Sequence, residues 1–236
     1  MFLASVTAAA LALAASCGGA APAAPPAAPA TGPRTSVVRS SDGVALAVQE
    51  AGPADAPTLV FLHGLGFTHA VWHRQLEGAL ASRFHLVAYD LRGHGQSSRP
   101  TDAAAYATGA RWADDLHAVL TATRARHAIL VGWSLGGLAI SFYLREHGGA
   151  AIDGAVFVDA VTAFSPELLG PDNPRYTAGL IAQDDAARGQ ATRAFIAACF
   201  ATPLPADELA ALEAAAGVLP AEPPRGDPPA VARRHR

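Results

Sequence analysis

Ile129-Leu130-Val131-Gly132-Trp133-Ser134-Leu135-Gly136-Gly137 is the stretch on which the fold turns. A short apolar run ends in glycine, a serine follows at the apex, and helix-compatible residues begin at once. Glycines flank the serine at two residues on either side, in the pattern G-x-S-x-G. The spacing has a mechanical reason. A strand that turns sharply into a helix brings its own backbone close, and glycine tolerates that approach, so the serine hydroxyl is lifted clear of the sheet at a helix N-terminus. That helix end also favours negative charge beside the serine.

Working outward, Thr58 to Leu62, His85 to Tyr89, Ala128 to Val131 and Ala155 to Val158 are continuous apolar runs of the kind that parallel strands buried on both faces require. Between them, Ala70 to Ala81, Gly109 to Thr123 and Leu135 to His147 carry apolar residues at three- and four-residue intervals and read as helices. Thr35 to Ser40 and Val44 to Glu50 form an opening hairpin around Asp42-Gly43. Strand and helix thus alternate, which predicts an α/β fold with a mostly parallel sheet and helices on both faces. Beyond Asp159 the pattern changes. Pro166 to Gly217 reads as Ala-rich helices broken at Pro171, Pro174, Pro203 and Pro205, a helical lid.

Two further motifs sharpen the elbow, which alone is a weak signal. Leu59-Val60-Phe61-Leu62-His63-Gly64-Leu65-Gly66 is a strand ending in His-Gly-x-Gly, and Asp90-Leu91-Arg92-Gly93-His94-Gly95-Gln96-Ser97 follows the next strand. With these three motifs in this order, the chain resembles the α/β-hydrolase family, in its serine-nucleophile esterase and lipase-like branch, from about Arg34 to Ala160. The resemblance implies that Ser134 attacks an acyl carbon, and that Leu65 and Leu135 donate backbone N–H groups to the oxyanion. Loss of one such donor typically costs about 10² to 10³ in rate. Serine at the elbow, where dehalogenases and epoxide hydrolases carry aspartate, directs the expectation to ester, lactone, thioester or amide cleavage or the related perhydrolase chemistry, with carboxylic ester-type bonds in a small-molecule substrate as the leading choice. No cofactor and no metal is implied. Asp90, Arg92, His94 and His63 are read as structural, and His69, His73, His85, His117, His127 and His147 as surface or satisfied histidines away from the active edge.

A serine nucleophile needs a histidine base and an acid that holds it, in chain order serine, acid, histidine. Asp159, after Val156-Phe157-Val158, stands at the earlier of the family's two acid positions. The histidine is unassigned, because His235 is the only one after Asp159 and lies in Pro220 to Arg236, a tail with five prolines that reads as disordered. The expectation is a chain truncated before the last two strands, through a frame change near Leu219, with its activity in doubt. The alternative is an inactive binding or scaffold lipoprotein that keeps the fold.

Composition bounds the rest. In 236 residues with 51% hydrophobic and 16% charged side chains there is room for one packed domain. All 17 positive charges are arginine, the net charge is −3, and there is no basic tract with interleaved aromatics, so nucleic acid is set aside as a partner. Phe2 to Ser16 has the length of a signal-peptide apolar segment. Leu13-Ala14-Ala15-Ser16-Cys17 resembles a bacterial lipoprotein box, with Cys17 as the lipidation site and the product exported and anchored to a cell-envelope membrane. The expected organisation is a leader over 1–17, an Ala/Pro/Gly tether over 18–34, the hydrolase core over 35–160, the lid over 161–219 and the tail over 220–236.

Overall fold

The structure is a computed structural model that describes residues 32–163 and 184–216. Cys17, the leader and most of the tether, the first part of the lid region, and the tail with His235 lie outside the described residues.

Six strands form one sheet among these residues: β1 (Arg34–Arg39), β2 (Ala45–Ala51), β3 (Thr58–Leu62), β4 (His85–Tyr89), β5 (Ala128–Trp133) and β6 (Ile152–Val158). Their order is β1-β2-β4-β3-β5-β6. The β1–β2 and β2–β4 pairs are antiparallel and the others parallel. The mostly parallel α/β sheet expected from the alternating periods is therefore present. From β3 the chain first steps to one side, to β4, and then crosses to the other, to β5. The strand order thus reverses at β3, and ligands bind in open α/β sheets at the carboxyl ends of the strands at such a reversal, here β3 and β5.

The buried strands divide their side chains between two cores, as period-two alternation demands. Val60, Leu62, Val87 and Tyr89 face α2 (Gly109–Ala122) and α3 (Leu135–His147), where Leu116, Val119 and Ile140 are buried. Phe61, Leu86 and Ala88 face the other way, onto Leu76 and Ala81 with Trp72 over them. Helix α3 stops at Gly148, whose φ of +73° glycine adopts without penalty.

Two expectations need correction. The helix read over Ala70 to Ala81 is three short pieces: a 3₁₀ turn at His69–Trp72, a single α turn, α1 (His73–Leu76), and a second 3₁₀ turn at Ala79–Ser82. Gly78 is extended there, at φ −89° and ψ −169°, which interrupts the helical backbone despite the apolar period. The run Ala155 to Val158 is not buried on both faces. It belongs to β6, which pairs only with β5 among the described residues and leaves Val156, Phe157 and Val158 each more than 40% exposed.

After β6, two helices of the lid region are described, α4 (Asp185–Ala198) and α5 (Ala206–Ala216). Asp184 caps α4 by accepting from the Ala187 N–H at 2.7 Å. Both helices reach the sheet's carboxyl edge through a third apolar cluster, in which Ile196 and Leu212 pack with Phe67, and Trp133 and Phe195 lie alongside. Among the described residues no helix is long and apolar enough to cross a membrane.

Candidate active site

Ser134 sits between β5 and α3 at φ +50° and ψ −115°, a backbone state that a non-glycine residue enters only under constraint. The constraint is visible on every side. The Ser134 N–H donates to the Val158 carbonyl at 3.1 Å, and the Ser134 carbonyl accepts from Gly137 at 3.0 Å and from Val161 at 3.1 Å. A Cβ at Gly132 would lie 2.7 Å from the Gly137 nitrogen, and one at Gly136 only 2.3 Å from the Leu62 carbonyl oxygen. The two glycines of the motif are therefore required by close backbone approach, as the spacing implies. Gly137 is a third such position: a Cβ there would come within 2.4 Å of the Ala160 Cβ, where the chain returns after β6. The motif by itself assigns Gly137 no part, although the doubled glycine is its signal.

Ser134 occupies the N-cap position of α3 yet makes no capping bond with its side chain. That is unusual for a serine there, since N-cap serines ordinarily accept from the first turn. The positive φ carries its Oγ off the helix end, and among the described residues the hydroxyl has no hydrogen-bond partner.

The loop after β3 lies against it. A Cβ at Gly64 would stand 3.2 Å from the Ser134 Cβ and 3.3 Å from Trp133 Cε3. Residues Gly64 to Phe67 close a turn through Phe67 N–H to Gly64 carbonyl, at 3.1 Å, with Gly66 at φ +75°. Leu65 thus lies on the serine's side of the sheet edge and Leu135 opens α3. Neither backbone N–H has an acceptor among the described residues. Stabilisation of a developing oxyanion needs backbone N–H groups that have no other acceptor near the nucleophile.

His63 holds this loop from below. It is fully buried, its Nε2 accepts from the Leu91 N–H at 2.9 Å, and its Nδ1 lies 2.8 Å from the Gly64 carbonyl. An Nε2 that accepts carries no proton, so the ring is the neutral Nδ1–H tautomer donating to Gly64. Burial, with the neighbouring His94 adding to it, pushes its pKa down to about 3, in keeping with that tautomer. His94 is also buried, and burial lowers its pKa as well.

Arg92 is fully buried and pairs with Asp115 through Nε and Nη2, at 2.6 and 2.7 Å, and with Asp42 at 3.0 Å. Burial raises the Asp115 pKa even though the arginine bonds pull it down. The two ion pairs tie the loop after β4 to α2 and the opening hairpin, which is a structural role.

Asp159 follows β6 directly, at φ +41°. Because Val158 pairs with Trp133, it stands one strand across from Ser134. It is exposed, and its carboxylate has no hydrogen bond or ion pair among the described residues. It faces the end of α4, where burial and the Asp159 charge together push the half-buried Cys199 thiol up to about 11.

The eight described histidines do not reach Ser134 Oγ with a hydrogen bond. His85 is bonded to Thr58 and Glu50, His127 to Asp153, and His147 to Asp114. His73 meets the Ala70 carbonyl, and His117 stacks on His147 with centroids 4.5 Å apart. His69 departs from its expected place. It lies at the sheet's active edge, with its side chain only 12% exposed and bonded to Asp90. Among the described residues no group of three or more His, Cys, Asp and Glu side chains converges as metal ligands would.

A profile described as alpha/beta hydrolase fold matches residues 57–235. The chain belongs to the α/β-hydrolase family. The structure of a presumed aryl esterase from Burkholderia cenocepacia is 40% identical, with a TM-score of 0.76 over 81% of this chain and 70% of that one. Esterase RhEst1 from Rhodococcus sp. ECU1013 is 33% identical, with a TM-score of 0.73 over 79% of this chain and 70% of that one. In sequence, the AB hydrolase superfamily protein YisY of Bacillus subtilis is 32% identical over 62% of this chain, but the match spans only 51% of its own length. The bifunctional esterase/perhydrolase DCH of Acinetobacter calcoaceticus is 33% identical over 52% of this chain and 44% of its own length. The chain thus spans about half the length of these curated relatives.

Proposed function

We propose that this site hydrolyses small-molecule carboxylic esters by acyl transfer through Ser134. The observation that carries the reading is a serine at positive φ whose hydroxyl, like the nearby backbone N–H groups of Leu65 and Leu135, has no hydrogen-bond partner among the described residues. Ser134 Oγ attacks the ester carbonyl, the tetrahedral oxyanion rests on the two N–H groups, the alcohol leaves, and water then releases the acid. The esterases among the relatives support this class of substrate. Trp133, half-buried and edge to face on the buried Phe67 at 4.6 Å, gives the acyl or alcohol part an apolar surface beside the serine.

Asp159 is the acid of this proposal. The base comes from outside the described residues, where His235 is the only histidine of the nine in this sequence. Treating the purified chain with a fluorophosphonate, beside Ser134→Ala, tests the reading by intact mass. One covalent adduct that disappears in the variant supports it, and loss of the adduct in His235→Ala would identify the base. A folded sample that takes no adduct would sink it and leave an inactive hydrolase-fold binding protein. We also propose export and lipidation at Cys17, to be tested by incorporation of labelled palmitate and its loss in Cys17→Ser.

A further inference from the structure

The loop that carries Leu65 is pinned at both ends to the residues that follow β4. At its start, His63 accepts from Leu91. At its end, His69 places two donors on one oxygen: its backbone N–H and its ring Nδ1 both lie 2.7 Å from Asp90 Oδ1. Asp90 is fully buried, and its second oxygen accepts from the Gln96 N–H at 2.8 Å. The fit is close, since a Cβ at Gly95 would lie 2.1 Å from Asp90 Oδ2. Burial by itself would raise the Asp90 pKa, but the His69 bond outweighs it and the carboxyl stays low. The loop therefore ends on an ionised, desolvated carboxylate whose oxygens are both occupied.

A backbone N–H at position 69 is available from any residue but proline. The ring is not, and a buried carboxylate that loses a charge-assisted donor is left undersatisfied. We propose that His69 is a positioning residue of this site: through Asp90 its ring holds the Gly64–Phe67 turn, and with it the Leu65 N–H, in register with Ser134. The inference rests on the reading of Leu65 as an oxyanion donor. His69 does not touch the reacting atoms and acts through the loop.

The test compares His69→Leu with His69→Asn in the full chain. Leucine removes the ring donor, whereas asparagine can present an N–H close to the position of Nδ1. Amide hydrogen exchange over residues 63–69 should rise about tenfold or more in His69→Leu, with the peptides of β3 and β4 unchanged, and should return toward wild type in His69→Asn. The maximal rate of fluorophosphonate labelling at Ser134 should fall about 10- to 100-fold in His69→Leu at an unchanged half-saturating probe concentration, as expected when a donor is misplaced by about an ångström. Asparagine should restore most of it. Unchanged exchange in His69→Leu, or exchange in His69→Asn as fast as in the leucine variant, would overturn the proposal. If the wild type takes no probe, the ester reading fails, and the exchange arm still decides whether His69 holds the loop.

Discussion

Gly136→Ala is the sharpest perturbation the elbow offers. The added Cβ would lie 2.3 Å from the Leu62 carbonyl oxygen, 2.7 Å from its carbon and 2.8 Å from its Cβ, so the obstacle is the backbone of β3 and not a side chain that can swing away. Contacts below 3.0 Å are not tolerated, so α3 and β3 must part by roughly 0.7 Å. Overpacking of this kind costs about 1–3 kcal/mol. The displacement falls where it matters, because Leu62 precedes the loop that carries Leu65 and Gly136 lies two residues from Ser134. Misplacement by about 1 Å can cost on the order of 10² in rate. Gly154→Ala is the control, since a Cβ there meets nothing within 4 Å and its φ is not positive. Urea unfolding and the fluorophosphonate labelling rate should show Gly136→Ala destabilised by about 1–3 kcal/mol and slowed by about 100-fold, while Gly154→Ala stays within about 0.5 kcal/mol of wild type. If the two variants behave alike in both assays, the packing argument for the elbow is wrong.

Two further outcomes follow from buried titratable groups. The His63 pKa lies far below its unfolded value, so its neutral form favours the fold. That contribution is complete above pH 6.5 and is lost as pH falls toward about 3. The urea midpoint should therefore be lower at pH 5 than at pH 7; His94 acts in the same sense, and a flat profile would contradict the buried neutral tautomer. The Cys199 thiol, held up at about 11, should react with iodoacetamide at pH 8 about 100-fold more slowly in the folded protein than in urea, read from the mass of its peptide; equal rates would place it in water.

The order of strands and helices was legible in the sequence because buried parallel strands write continuous apolar runs and core-facing helices write a 3.6 period. The helix read over Ala70 to Ala81 failed because its period is real but Gly78 leaves the helical backbone, and amphipathicity does not report that. The exposure of β6 was hidden because an apolar run reads the same at an edge as in the centre of a sheet. At the candidate site, the proposed nucleophile Ser134 was read from its own motif, and the proposed donors Leu65 and Leu135 from the family resemblance. His69 was not, because its partner is 21 positions away and nothing local distinguishes it from a surface histidine.

The sequence by itself determined the α/β alternation and the serine at a glycine-flanked elbow, and its three motifs carry the resemblance to the family. Local sterics and side-chain periodicity set the first two. Only the tertiary structure decided that Gly137 must be small, that His63 is a neutral tautomer beneath the Gly64–Phe67 turn, and that His69 and Asp90 tie down the end of that segment. Each depends on groups brought together by strand pairing and on the desolvation that follows, and a linear pattern encodes neither.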